Sequence, residues 1–446
     1  MPSMVQLQTL LFLALVTLAL AAPSPIQKRS FKVARVPNPQ FKGRTPGAGT
    51  RALIKAHRKY GVALPQGLVD AMNAANAANS ASAANTGSVA DALSNSAAVA
   101  EDKQTGAAAP AAGNGTGAGK GLVTATPEQG DVEYLSPIQV GGQTMNMDFD
   151  SGSSDLWMFN TQLNAQSQTG HTNFDPTKST TFKMMAGATW SISYGDGSGA
   201  AGNVGTDTVN IGGATVTSQA VELATAVSAS FVQDQNSNGL VGLAFSKLNT
   251  VKPTQQKTFF DNAMPSLSQP VFTADLRKQA VGAYEFGNID ETKFNGSLSW
   301  AAVNTTNGFW QFSSTMFQVG TGAPMPVAGG QAIADTGTTL MLANPAIVNA
   351  YYSQVNGAVN NASVGGVTFP CSATLPDLKV DVGGQYMANV KGSDINFAAV
   401  DATRQTCFGG LQAINSNLQI YGDIMFKSQF VAFNGGNNSI GMAPHQ

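Results

Sequence analysis

Two short segments of the chain carry the same kinds of side chain in the same order. Met147-Asp148-Phe149-Asp150-Ser151-Gly152-Ser153-Ser154 is matched by Ala332-Ile333-Ala334-Asp335-Thr336-Gly337-Thr338-Thr339. In each, an apolar run ends in Asp and is followed by a hydroxyl residue, a glycine and two more hydroxyl residues. A single Asp-hydroxyl-Gly triplet is a weak signal, because a polar turn whose Asp caps local amides looks the same. Two of them, one in each half of the region after about residue 121, point to a pair of carboxyls brought together where two similar halves meet. Carboxyls held that close cannot both ionise cheaply, so one pKa falls, the other rises, and the pair holds one proton over an acidic range.

The residues around each Asp suit that chemistry. Gly152 and Gly337 let the backbone turn tightly and approach the opposite loop with no side chain in the way. Ser151 and Thr336 offer hydroxyls that can tie the two turns together, and Ser153 and Thr338, three residues past each Asp, can donate to its carboxylate. Other hydrolytic chemistries find little material. The histidines are His57, His171 and His445. There is neither H-E-x-x-H nor G-x-S-x-G, so a zinc site or a histidine-dependent triad is not expected. No G-x-G-x-x-G sits between a strand and a helix, which argues against a dinucleotide fold.

Such turns have to be held by strands. From about residue 121 the sequence runs in short alternating stretches broken by Gly, Asn, Asp and Ser, among them Tyr134–Val140, Gln143–Phe149, Thr189–Tyr194, Val204–Ile211 and Gln429–Phe433. Val, Ile, Thr and Phe dominate these stretches, which is an all-β pattern. The length after residue 120 is too great for one β core and fits two lobes, expected over 121–300 and 301–446.

The motifs resemble those of pepsin-like aspartic proteases, nearest to the secreted fungal type. The resemblance rests on Phe149-Asp150-Ser151-Gly152-Ser153-Ser154-Asp155-Leu156-Trp157 and Ala334-Asp335-Thr336-Gly337-Thr338-Thr339, and it extends over essentially everything after the leader. It implies a bilobal all-β fold with the cleft between the lobes and Asp150 and Asp335 as the catalytic pair. It also implies endopeptidase activity at acidic pH: the ionised Asp activates a water and the protonated one polarises the scissile carbonyl. No cofactor, metal or covalent intermediate is required, and which Asp carries the proton is left open. Ser193-Tyr194-Gly195-Asp196-Gly197-Ser198 looks like the hairpin flap over the cleft, with Tyr194 bonding to Trp157. Asp196 at that position implies acceptance of Lys as well as apolar residues before the cut bond. Gly239-Leu240-Val241-Gly242-Leu243-Ala244-Phe245 and Ile420-Tyr421-Gly422-Asp423-Ile424 look like the segments that brace the two turns. The chain departs from many relatives at Ser151, which keeps the hydroxyl of the usual Thr. It departs again at Asp155, where Asn is common; the added charge is expected to shift the working pH range.

The remaining sequence reads as a leader. Residues 1–21 form a signal peptide: an apolar run from Leu10, too short to span a bilayer, ends in Ala19-Leu20-Ala21. No later stretch is long and apolar enough to span, so the mature form is expected off the membrane, acting as a monomer on protein and peptide substrates. Residues 22–120 carry a net charge of +8 and the rest −10, although the whole chain is only −2. A basic leader on an acidic body suggests attraction within one molecule. Nucleic-acid binding, the other use of a basic arm, finds no module in the body. Within the leader, residues 51–60 read as a short amphipathic helix and 69–120 as an accessible linker. Lys28-Arg29 and Lys120-Gly121 are candidate processing sites. Lys59-Tyr60 resembles the prosegment pair in which the lysine bridges the two catalytic carboxylates and the tyrosine fills the cleft. Cys371 and Cys407 are the only cysteines; in an exported protein they read as one disulfide, or else as two buried thiols, and the resemblance implies the former. Four N-glycosylation sequons, at Asn295, Asn304, Asn361 and Asn437, are compatible with secretion.

Overall fold

A computed structural model describes residues 31–32, 46–82, 126–127, 134–193, 199–278 and 280–446. The signal segment, both candidate processing sites and residues 194–198 of the expected flap lie outside these.

The strands used below are β1 (Phe31–Lys32), β2 (Tyr134–Val140), β3 (Gln143–Asp150), β4 (Leu156–Met158), β5 (Lys183–Ser193), β6 (Gly199–Ile211), β7 (Ala214–Val227), β8 (Gly239–Gly242), β9 (Val271–Arg277), β10 (Ala280–Phe286), β11 (Ser299–Ala302), β12 (Gln331–Ala334), β13 (Met341–Ala343), β14 (Gln419–Tyr421), β15 (Gln429–Asn434) and β16 (Ser439–Pro444). Eight strands form the first lobe's sheet, in the order Thr126–Pro127, β2, β3, β8, β4, β7, β6, β5. The second lobe is built from a five-stranded sheet, which contains β12, β14 and β13, and two four-stranded sheets. A further six-stranded sheet, ordered β1, β10, β9, β15, β16, β11, is shared. Strands β9, β10 and β11 come before residue 303; β9 pairs with β15 and β11 with β16 of the C-terminal hairpin, while β10 pairs with β9. The expected lobe boundary at 300/301 therefore falls inside β11, within a sheet to which both halves contribute. Among the described residues past 134, no helix exceeds the eight residues of Pro345–Tyr352, so the fold is the bilobal all-β arrangement anticipated.

The repeat seen in the sequence is a repeat in topology. β3 runs parallel to β8, placing Phe149 beside Val241 and Asp150 beside Gly242, and β8 runs antiparallel to β4. In the second lobe β12 runs parallel to β14, placing Ile333 beside Ile420 and Ala334 beside Tyr421, and β14 runs antiparallel to β13. In both lobes the strand before the Asp turn and the strand after it are thus separated by a third that arrives much later in the chain. That inserted strand covers the turn and changes the burial pattern. Along β3 the start alternates, with Met145 and Met147 buried and Thr144 and Asn146 exposed, whereas Met147 to Asp150 are all buried. A polar residue at such a position needs partners, which a carboxylate in a tight turn can find in nearby amides.

Two leader helices lie on the second lobe. Helix α1 (Ala48–Lys59) buries Ala48, Ala52, Leu53 and Ala56 against the strands Asn396–Ala399 and Thr406–Gly409. Gly49 is what lets it sit so low: a Cβ there would come within 2.3 Å of the Phe408 ring. Its last turn carries His57, Arg58 and Lys59, where cations complement the helix dipole. Helix α2 (Gln66–Ser82) follows and packs on the turn Ala362–Val364, with Leu68 buried against Gly365. Residues 69–82, within the stretch expected to be mostly accessible linker, are helical. Ala and Met keep the helical propensity high, and Leu68 supplies the apolar anchor that composition alone did not weigh. Cys371 and Cys407 form a disulfide that joins the ends of two paired strands, with Cα atoms 4.8 Å apart.

Candidate active site

The two Asp turns face each other and are tied by a symmetric set of hydrogen bonds. The Ser151 amide donates to Thr336 Oγ1 at 3.0 Å, and the Thr336 amide donates to Ser151 Oγ at 2.9 Å. Each hydroxyl then donates onward across the junction, Ser151 Oγ to the Ala334 carbonyl at 2.9 Å and Thr336 Oγ1 to the Phe149 carbonyl at 2.7 Å. Four buried hydrogen bonds thus fix the carboxylates' relative position to within the play of a single rigid turn pair. The Ser at 151 fills this role as Thr does at 336, since only the hydroxyl is used.

Each carboxylate is also held by its own turn. Asp150 accepts from the Gly152 amide at 2.8 Å and from Ser153 Oγ at 2.7 Å; Asp335 accepts from the Gly337 amide at 3.0 Å and from Thr338 Oγ1. The glycines are required by the approach of the other lobe. A Cβ on Gly152 would lie 2.5 Å from Asp335 Oδ1, and one on Gly337 would lie 2.4 Å from Asp150 Oδ1. Real Cβ atoms do not approach oxygen so closely, so any other residue would push the carboxyls apart.

Lys59 arrives between them from the end of α1. Its Nζ donates to Asp150 Oδ1 at 2.7 Å and to both oxygens of Asp335, at 3.0 and 2.9 Å. Tyr60 Oη donates to Asp335 Oδ2, and its ring packs edge-on to Phe309 at 6.1 Å between centroids. The electrostatics follow from this crowding. Burial acts against ionisation of Asp335, but Lys59, the hydrogen bond with Asp150, Thr338 and Tyr60 together overcome it and hold the carboxyl at about 2. Asp150 is raised by burial and by the Asp335 charge, against the pull of Lys59. Burial disfavours the Lys59 ammonium, yet the two aspartates outweigh it and its pKa is raised. The pair is thus split in the direction its geometry demands. Asp148, two residues upstream on β3, is buried as well, and that burial pushes it up to about 7.

Of the flap set, Tyr194, Gly195, Asp196 and Ser198 lie outside the described residues. Trp157 is buried, in a cluster with Trp190, Phe159 and Phe231, and its Nε1 has no hydrogen-bond partner among the described residues. The expected bracing segments are β8 and β14, and they do touch the turns: the Leu243 amide donates to the Asp150 carbonyl at 2.7 Å, and the Asp335 amide to the Tyr421 carbonyl at 3.1 Å. Asp155 is not a charge facing the cleft. It is 1% exposed, accepts from Asn249 Nδ2 at 2.9 Å and from the Thr250 amide at 2.8 Å, and lies against Glu222. Glu222 and Asn249 were not singled out from sequence. The available signal was one acidic residue inside the apolar run Ala220-Val221-Glu222-Leu223-Ala224.

Two similar β lobes that each bring an Asp-hydroxyl-Gly turn to a shared cleft define an aspartic-type endopeptidase. The chain belongs to the eukaryotic aspartyl protease family, whose model matches residues 133–445. Over 448 residues it is 46% identical to an aspergillopepsin A-like aspartic endopeptidase of Aspergillus fumigatus, covering 98% of this chain and 99% of that protein. It is 45% identical to endothiapepsin of Cryphonectria parasitica, over 92% of this chain and 88% of the relative. It is 47% identical to penicillopepsin-1 of Penicillium janthinellum, over 73% of this chain and 99% of the relative.

Proposed function

We propose that the chain is the self-inhibited precursor of a secreted, acid-acting aspartic endopeptidase whose catalytic pair is Asp150 and Asp335. The observation that carries this reading is the Lys59 ammonium lodged between the two carboxylates. A cation in that position occupies the place where a peptide carbonyl and its attacking water would have to sit. Once Lys59 leaves, the buried carboxyls lose their counter-charge and share a proton. The ionised member takes a proton from water as the oxygen attacks the scissile carbonyl, and the protonated member donates a hydrogen bond to that carbonyl oxygen. Proton return to the amine then breaks the C–N bond. Hydrogen bonds from Ser153 and Thr338 keep each carboxyl turned toward the cleft. The leader, residues 22–120, is removed to give the mature enzyme, and cleavage after Lys120 by the enzyme itself is part of this reading. Apolar residues are preferred before the cut bond, with Lys accepted through Asp196.

The test is an acid-pH proteolysis assay of the full chain and of Asp335→Asn, with and without a statine-type inhibitor. Loss of activity by at least a thousandfold in the variant, and inhibition of the wild type, are expected. Undiminished activity in Asp335→Asn would end the assignment.

A further inference from the structure

Behind the Asp150 turn lies a second pair of carboxyls that the proposed reaction does not use. Asp155 immediately precedes β4 and Glu222 sits on β7 at the position paired with Trp157; each is 1% exposed. Asn249 Nδ2 donates to both, at 2.9 Å to Asp155 Oδ1 and 2.9 Å to Glu222 Oε1, and also reaches the Ser154 carbonyl at 3.3 Å. Glu222 Oε2 is buried and receives no N–H or O–H from any described residue. The two carboxyls share the Asn249 amide as neighbours, and the Asp155 charge beside it raises the affinity of Glu222 for a proton.

Among the described residues, no cation forms an ion pair with either of them. Lys183 on β5 and Lys247, Lys252 and Lys257 on the loop that carries Asn249 are all exposed. The other titratable groups on the packed elements are Asp148 and Asp150 on β3, Asp207 on β6, Asp234 next to the helix Ala229–Gln233, and His171, stacked on Phe159. Of these the carboxylates are repulsive, and both His171 nitrogens already face the backbone carbonyls of Ser237 and Val232. Doubly ionised, the pair would put two like charges in contact inside an apolar sheet.

We propose that Asp155 and Glu222 are positioning residues that share a proton and, through Asn249, hold the Asp150 turn in its working geometry only while that proton is present. The mechanical link is short: Asn249 grips the Ser154 carbonyl, the Gly242 amide grips the Asp155 carbonyl at 2.8 Å, and the Ala244 amide grips that of Ser153 at 2.8 Å. Losing the proton splays the pair, and the turn that holds Asp150 moves with it. The direction with pH follows from the raised affinity for the proton. Burial, only partly offset by the Thr250 bonds, lifts Asp155 to about 6; burial together with Asp155 raises Glu222, with a lesser opposite pull from Asn249 and Leu156. Groups raised in the folded state give stability that is full below about pH 4 and drains as pH climbs through 6 and beyond.

This inference rests on the reading of Asp150 as catalytic, and its test keeps the two apart. Glu222→Gln preserves shape and hydrogen bonding while removing one acid. Two quantities are read. The first is denaturant stability of the full chain between pH 4 and 8, which needs no activity. The second is residual proteolysis at pH 4 after acid-activated enzyme has stood at pH 7, which is blind to reversible titration of the Asp150–Asp335 pair. The pH at which stability is half lost should rise by at least one unit in Glu222→Gln, and the half-life at pH 7 should lengthen at least tenfold. Asp155→Asn carries the same expectation should the first variant not accumulate. Glu222→Ala, which removes the pair but also its packing, should inactivate faster than Glu222→Gln at pH 4. Stability and half-life profiles that coincide with wild type, or that fall in parallel at every pH, overturn the proposal. A wild type that folds but never cleaves leaves the stability comparison standing and fails the functional reading instead.

Discussion

Replacing Lys59 with methionine tests the self-inhibited state most directly. The change keeps the length of the side chain and removes the ammonium that contacts three carboxylate oxygens within 3.0 Å. The Lys59 side chain is 9% exposed, and those of both aspartates are less exposed still. Removing one member of a buried ion pair costs about 3–5 kcal/mol, because the charge left behind is uncompensated. That corresponds to roughly 150- to 5,000-fold in the equilibrium between docked and released leader. The lower end applies near pH 5, where the carboxyls can relieve themselves by taking a proton. Release should be partial, since Tyr60, Thr50 and the Gly49–Phe408 contact still anchor α1. Hydrogen exchange of the Ala48–Lys59 amides in the full chain at pH 6.5 reads the equilibrium, and hydrolysis of a quenched peptide without prior acid treatment reads its consequence. Protection should fall by at least a hundredfold, and peptide cleavage should appear. Amide protection within tenfold of wild type would show that Lys59 is not what holds the leader in the cleft, and the reasoning would fail.

Two further perturbations separate the parts of the site. Gly337→Ala places a Cβ 2.4 Å from Asp150 Oδ1, so kcat/KM should drop at least a hundredfold with about 1–3 kcal/mol lost in stability; activity within threefold of wild type would mean that the turns can separate freely. His57 is 3% exposed, bonds through Nδ1 to the Ala63 carbonyl at 2.9 Å and leaves Nε2 buried with no partner among the described residues, and burial lowers its pKa. Its proton binds more tightly once α1 is released, so docking weakens as pH falls below about 6.5. His57→Gln should shift the midpoint of acid activation downward by at least half a unit, and an unchanged midpoint would remove His57 from the trigger.

The order of these events is itself a physical result. The sequence suggested that acid loosens a basic leader from an acidic body, which treats all carboxylates alike. With Asp335 held at about 2 by Lys59 and its other partners, the Lys59–Asp335 ion pair is the last to yield: a depressed carboxyl gives stability that is full above about pH 4 and is lost only as pH falls toward 2. The histidine two residues earlier titrates first. The proposed precursor would thus be loosened at its helix before the Asp335 carboxylate is neutralised.

What could be read without coordinates, and what could not, divides along the range of the interactions. The Asp turns were legible because their chemistry is local: the Asp, its hydroxyl three residues on and the glycine between them form one short motif, repeated. Strand bounds such as Tyr134–Val140 were legible because alternation is local too. The shared sheet was not, because β9 and β15 lie about 160 residues apart and nothing in either names its partner. The same limit hid the carboxyl pair. Asp155 was visible as a departure from the usual Asn, and its charge was expected to shift the working pH range, but nothing in the sequence named its partner. Glu222 is 67 residues away and meets it only because β4 runs parallel to β7. Had Asn stood at 155, Glu222 would face an amide that can donate to it, and no proton would be needed. On the proposed reading, the single substitution therefore converts a brace that needs no proton into an acid-dependent one, and the working pH range is shifted from behind the turn, by stability.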